Sequence, residues 1–298
     1  MNERINNIRL FLKKYAIPIG LLPIFMIVGV LFWGGLTGAI LQSLGWFPAI
    51  GLREITLKYY REIFLDTDLW SSSGYTLYIA IIPTILATCI SILLAIIIND
   101  LNGNMKKISN FIIKIPIMIP YLVGIYMVIV MYGQSGWIAR IMASLGLIKC
   151  TSQFPEILYS NSAIGIIMVY LWKQVPFMTT IIRSNLISVG RDYEQVAQTL
   201  GANNSQIFRY VTIPLIIPGI LSSSLLVFAF NFGSFETPFI VGRYYPNTLP
   251  VEAYKLYSNI DLCYRPKAMA MVILISILST IILYYYEKSI EKFKYIKK

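Results

Sequence analysis

Residues 194–214 read EQVAQTLGANNSQIFRYVTIP, a polar island between apolar runs at 163–182 and 215–241. Asp192 is placed to cap a short helix, and Gln195 three positions later completes a capping box. Tyr193, Val196, Ala197 and Leu200 recur at i, i+3, i+4 and i+7, which makes one apolar stripe. Gly201 follows the last stripe residue, where a left-handed C′ position favours glycine. Asn203 or Asn204 can start a second helix carrying Ile207, Phe208 and Val211. Pro214 marks the entry into the next apolar run. The spacing predicts helix, glycine turn, helix. Such a segment is either a plain interfacial loop or a docking element for a soluble partner, and these residues alone leave both open.

Outward from the island the chain is apolar: 57% of its 298 residues are hydrophobic and 13% charged. A soluble domain of this length could bury a large core but would not need apolar runs of about 20 residues, whereas a bilayer core about 30 Å thick does. Without water each run must satisfy its own backbone as a helix. Six runs are read, at 16–40, 74–98, 111–131, 163–182 (broken by Pro176), 215–241 and 268–286. The expected organisation is a cytoplasmic segment 1–15, a six-span domain 16–286 with a cytoplasmic loop at 184–214, and a basic tail 287–298. The first run follows a basic start but is too long for a signal-peptide core and lacks a small-residue cleavage site, so it reads as a retained anchor.

Charge placement orients the spans. With six spans both ends share one side, and that side holds fourteen bases against six acids. The opposite side holds nine bases against eight acids. The termini are therefore expected in the cytoplasm. The net charge of +11 is mostly this positive-inside bias and is no argument for nucleic acid. There is no histidine, which removes the usual zinc and haem ligands. The three cysteines show no metal spacing, and a disulfide would have to join Cys150 and Cys263, the two expected outside. Neither GxxxxGK[ST] nor GxSxG occurs, so no nucleotide site or hydrolase elbow is read in this chain.

The island also resembles a family pattern. The membrane subunits of binding-protein-dependent ABC importers carry E-A-A, three residues, Gly, nine residues, I-x-L-P. Here nine residues separate Gly201 from Val211, Thr212, Ile213 and Pro214, and the E-A-A positions fall on Gln195, Val196 and Ala197. The family glutamate is Gln195, with an acid displaced to Glu194. The resemblance implies an all-α integral membrane protein of the type I importer permease (MetI-like) fold. It also implies that Tyr193, Glu194, Gln195, Val196, Ala197, Leu200, Gly201, Ala202, Phe208 and Pro214 dock on a cytoplasmic ATPase dimer. ATP and Mg would then be bound by that partner, and this chain would have no catalytic residue and no cofactor. The further partners implied are a second permease subunit, an external substrate-binding protein and the lipid bilayer. WKQVPF (172–177) and FGSFETPFIVG (232–242) resemble the branch serving polyamines, ferric iron, thiamine and phosphonates, which implies a small polar cargo such as a polyamine.

Polar residues within the runs are the other candidates. Lys173 lies mid-run, where a charge costs at least about 2.5 kcal/mol. It either serves the translocation path or snorkels to an interface. Asn231, Ser234 and Glu236 are candidates for the path, while Ser222, Ser223 and Ser224 fit interhelical hydrogen bonding as well. Trp137, Ile138, Ile141, Met142 and Leu145 form an amphipathic stripe after the third run. A secondary transporter or channel would need its coupling ions or filter within this chain. A membrane enzyme would need an acid, base and nucleophile set, and none converges.

The charge asymmetry makes a testable statement. In intact cells a membrane-impermeant thiol reagent should label a cysteine placed at Asn247 but not one placed at Lys294, and the reverse pattern would overturn the topology.

Overall fold

The computed structural model describes residues 2–189 and 192–295, with side chains described for 20–188 and 192–288. The described residues are overwhelmingly helical. The first helices are α1 (Asn2–Ser43), α2 (Lys58–Leu65), α3 (Thr67–Asp100), α4 (Gly103–Ile112), α5 (Ile115–Met118), α6 (Tyr121–Tyr132) and α7 (Trp137–Ser144). They are followed by α8 (Ile164–Val189), α9 (Asp192–Thr199), α10 (Asn204–Ile207), α11 (Ile213–Gly233), α12 (Glu236–Val241), α13 (Leu249–Tyr257) and α14 (Arg265–Tyr295). Six segments are long and apolar enough to cross a bilayer: Gly20–Ser43, Thr67–Asp100, Tyr121–Ser144, Ile164–Ser188, Asn204–Gly233 and Leu262–Lys288.

Three sequence expectations need correction. The run 111–131 is not one helix. Pro116 and Pro120 each remove a backbone donor, and Ile119, ahead of a proline, takes an extended ψ of 134°. The chain therefore breaks between α5 and α6. Pro176 does not break the fourth run, since α8 continues through it. Hydroxyls occupy carbonyls there: Val175 O accepts from Ser91 (3.0 Å) and Thr179 (2.7 Å), and Pro176 O from Thr180 (2.9 Å). The fifth run ends at Gly233, where Ser234 is extended before the short α12. Residues 184–189 of the expected loop are helical, as the end of α8, and residues 2–15 are helical, as the start of α1. Gly190, Arg191 and the last three tail residues lie outside the described residues.

The chain divides into two compact units. One comprises residues up to 65 with 255–273. In it the Ser43 and Tyr60 hydroxyls share a 2.7 Å hydrogen bond, and Thr56 N donates to Leu44 O at 2.7 Å. From Gly20 to Leu41 most of the apolar side chains of α1 are exposed, as suits a surface facing lipid or a partner.

The other comprises 66–254 with the chain after 273. Its core is built where α3, α8 and α11 cross. Ala95, Ile182, Leu186 and Ile216 form one cluster, and Ala87, Val175, Met178 and Val227 the next. A third adds α6 and α12 through Tyr75, Ile79, Ile125, Val128, Ile166, Val169, Tyr170 and Val241. The segment 243–249 is bound to the start of α3. Leu249 N donates to Thr76 Oγ1 (2.9 Å), Tyr245 OH donates to Asp68 (2.6 Å), and the Arg243 guanidinium lies 4.0 Å from the Tyr75 ring centre.

Gly124 lets α6 approach α8: a Cβ there would sit 2.6 Å from Trp172 Cζ3. Gly124→Leu should therefore destabilise by about 1–3 kcal/mol or more. Gly29→Leu, where a Cβ meets nothing within 4 Å, should be tolerated. Thermal unfolding of the purified protein in detergent checks both.

Candidate functional site

The polar island folds as its local chemistry dictates. α9 ends on Gly201 at φ +84°, a region glycine enters without a Cβ penalty. Gly201 N donates to Gln198 O (2.9 Å) and Ala202 N to Ala197 O (3.0 Å), the paired bonds of a Schellman turn. Asn203 then caps α10: its Oδ1 accepts from Gln206 N, and Gln206 Oε1 accepts from Asn203 N, both at 2.9 Å. The cap therefore falls on Asn203, one of the two asparagines expected. At the other end Asp192 is the first described residue of α9. Its expected capping role borders the undescribed pair and is not described.

After α10 a π turn, Phe208–Thr212, leads into α11 ahead of Pro214. A proline clashes with the carbonyl four residues back, and the wider turn occurs where that ladder is interrupted. Glu194 accepts a hydrogen bond from the buried Thr212 hydroxyl at 3.1 Å, which ties α9 to the root of α11. Gln195, at the family glutamate position, is exposed. The stripe itself is open: Tyr193 is 60% exposed, Val196 58% and Leu200 82%. Ala197 is half-buried, and Phe208 is exposed. This is a rigid helix–turn–helix presenting apolar side chains to whatever lies beyond it.

Within the spans Lys173 neither snorkels nor lies at a helix end. It is buried, and its Nζ donates to Pro116 O (2.6 Å) and Ile119 O (2.5 Å). Those carbonyls were freed by the break between α5 and α6. The ammonium also lies 5.1 Å from the Tyr121 ring centre, within cation–π range. It lines a cavity of about 410 Å³ with Tyr121, Gln174, Phe177 and Phe230.

Asn231 is fully buried and forms a reciprocal amide pair with Gln174, donating also to Thr84 Oγ1 at 3.2 Å. It joins α3, α8 and α11. Ser223 bonds back to Gly219 O (2.7 Å), and Ser224 shares a 2.6 Å bond with Tyr286. Ser234 is buried at the break after α11, while Glu236 opens α12 and is exposed. Asn231 and Glu236, grouped in the sequence, are thus in different settings. Sequence reading passed over Gln174 and Thr84. A second polar residue beside Lys173 in an apolar run was the available signal for the first. The three cysteines are free.

Six bilayer-length apolar segments make the chain a candidate multi-pass membrane protein, with an exposed helix–turn–helix ahead of α11. Residues 87–293 match the family described as "Binding-protein-dependent transport system inner membrane component", and the chain belongs to that family. It is a multi-pass inner membrane protein and a transport component. It is 26% identical over 230 residues to a probable ABC transporter permease protein, y4oQ, of Sinorhizobium fredii, covering 76% of this chain and 73% of that protein. It is 27% identical over 212 residues to the molybdate/tungstate transport system permease protein WtpB of Methanocaldococcus jannaschii, covering 70% and 79%. Its fold matches a bacterial ABC transporter for import of the acidic polysaccharide alginate, with a TM-score of 0.78 at 17% identity. That match covers 98% of this chain and 100% of that one.

The Glu194–Thr212 bond should hold the loop closed. Glu194→Ala and Thr212→Val should each speed tryptic cleavage at Arg209 about fivefold, the equivalent of about 1 kcal/mol. Unchanged cleavage in both would show that the bond contributes nothing.

Proposed function

We propose that this chain forms the translocation pathway of an ATP-driven importer together with a second permease subunit, a different chain or a second copy. It couples to two cytoplasmic ATPase subunits through α9 and the turn that follows. The supporting observation is the open stripe Tyr193, Val196 and Leu200, carried on a helix whose end is locked by a Schellman turn. An apolar face that large on a short polar helix gains by burial against a partner. The rigid turn and the Glu194–Thr212 bond pass displacement of α9 into α11. Hydrolysis of ATP, with its Mg, belongs to the partner chain, and this chain contributes no reacting group.

Movement of the ATPases would rock two permease subunits between inward-facing and outward-facing states. The outer elements, including 243–265 and α7, would meet a substrate-binding protein. In this reading the six-span region 16–286 is embedded and 287–298 is a cytoplasmic tail. The cargo is better read as an anion than as a polyamine. Two of the proteins this chain resembles are named for anionic cargo, molybdate or tungstate in one and an acidic polysaccharide in the other. The charge buried beside the cavity on α8 is Lys173.

Substitutions on α9 separate docking from a plain loop. Gly201→Val puts a β-branched residue at φ +84°, and Ala197→Asp puts a charge in the contact. Both should lower coupled ATP hydrolysis about tenfold or more, through a buried charge or a strained turn. Gln198→Ala, on the other face, should be mild. The measurement is ATPase co-purification and substrate-stimulated hydrolysis at matched membrane expression. Full coupling in both severe variants would reduce the island to an interfacial loop.

A further inference from the structure

Helix α8 presents a continuous stripe, Lys173, Phe177, Thr180, Ser184 and Ile187, at i, i+4, i+7, i+11 and i+14. The first two line the cavity of about 410 Å³ already described, and the last three line a second cavity of about 230 Å³. This second cavity also holds Arg183 and Lys114. We propose that α8 carries two cationic stations for an anionic cargo, one at Lys173 and one at Arg183 with Lys114. This rests on the importer reading and gives it a substrate class and a route.

Three observations converge on an anion. Neither cavity has a carboxylate in its lining. Among the described residues, Lys173, Arg183 and Lys114 form no ion pair. The partners these cations do have are neutral, so their charge is not cancelled: Lys173 bonds two backbone carbonyls, and Arg183 bonds the Asn110 side chain. Arg183 Nε, moreover, is buried without any partner. A buried donor without an acceptor, as at Arg183 Nε, and a buried charge without a counter-charge, as at Lys173, are both costly, while Lys114 is exposed and adds only its charge. A ligand that is an anion and an acceptor supplies what both lack.

The two stations differ in character. Apolar and aromatic walls (Tyr121, Phe177, Phe230) surround Lys173, so an anion there sheds water against one ammonium. Thr179, Thr180 and Ser184 line the wall beside Arg183, but each hydroxyl already donates to a carbonyl of α8, so an anion there meets the cations themselves. Ten residues separate the two cations along α8, about 15 Å at the helical rise. Coulomb energy falls with distance, so each cation acts most strongly on its own cavity.

The test reads that potential without knowing the cargo. In the assembled importer, with Cys89, Cys150 and Cys263 replaced by serine, Phe177→Cys reports on the first station and Ser184→Cys on the second. A sulfonate-bearing methanethiosulfonate and its trimethylammonium counterpart are compared in phosphatidylcholine membranes. The anionic reagent should react about tenfold faster at both positions. Lys173→Gln should bring the ratio at 177 towards one and leave 184 unchanged, and Arg183→Gln should do the converse. Equal rates, or a cation preference, at both positions overturn the proposal. A preference at 184 that disappears when a quarter of the lipid is phosphatidylglycerol assigns that cavity to lipid headgroups and overturns its place in the cargo route. Should Lys173→Gln fail to assemble, the ratio at 177 in the parent and the Arg183→Gln arm still decide. ATPase co-purification from the same preparations keeps the two readings apart. Neutral ratios with a coupled ATPase remove only the stations, whereas loss of the ATPase strikes the importer reading itself.

Discussion

The reciprocal amide pair between Gln174 and Asn231, extended to Thr84, is the constraint on which the larger unit depends. It joins the middle parts of α3 and α8 to the C-terminal end of α11, with all three side chains buried. In hydrocarbon such bonds contribute only about 0.6 kcal/mol each on average. Their alternative is an unsatisfied amide away from water, so they fix which faces of the helices meet. Once the crossing is fixed, the clusters above and below it can pack. Gln174 then faces one cavity beside Lys173, while Asn231 sits two residues before the end of α11. The polar island lies between α8 and α11, so the geometry of its two anchors is set by the same bond.

Prolines distribute the irregular backbone around that crossing. Pro116 and Pro120 break the third run, and the carbonyls they free are met by Lys173 from α8. Pro176 leaves α8 continuous, although it withholds an N–H from the Trp172 carbonyl four residues back. Pro214 is preceded by a π turn. Irregular backbone at membrane depth is tolerated where protein groups satisfy it, as Lys173 does at the break between α5 and α6.

What could be read from the sequence was what is decided locally. The positive φ of Gly201 and the Asn203 cap follow from neighbours within a few residues, and apolar runs report bilayer length directly. The third run misled because its composition is uniform while its backbone is broken. The fifth was drawn eight residues too long because apolar residues continue past Gly233 into α12. Lys173 looked like a charge in need of an exit because its carbonyl partners lie 54 and 57 residues away. The amide pair spans 57 residues and the Arg183–Asn110 bond 73. Such pairings become visible only when helices are placed side by side.

The open stripe on α9 also has a cost when the subunit is alone. Tyr193, Val196 and Leu200 give a lone copy an adhesive patch at the membrane surface, held rigid and unable to collapse onto its own chain. A copy with nothing covering that face is therefore a candidate for self-association or for capture by proteases that survey apolar surface. If that face docks on a partner as proposed, the same feature that recruits the partner would mark the unpartnered chain for removal, and subunit balance would be kept by chemistry.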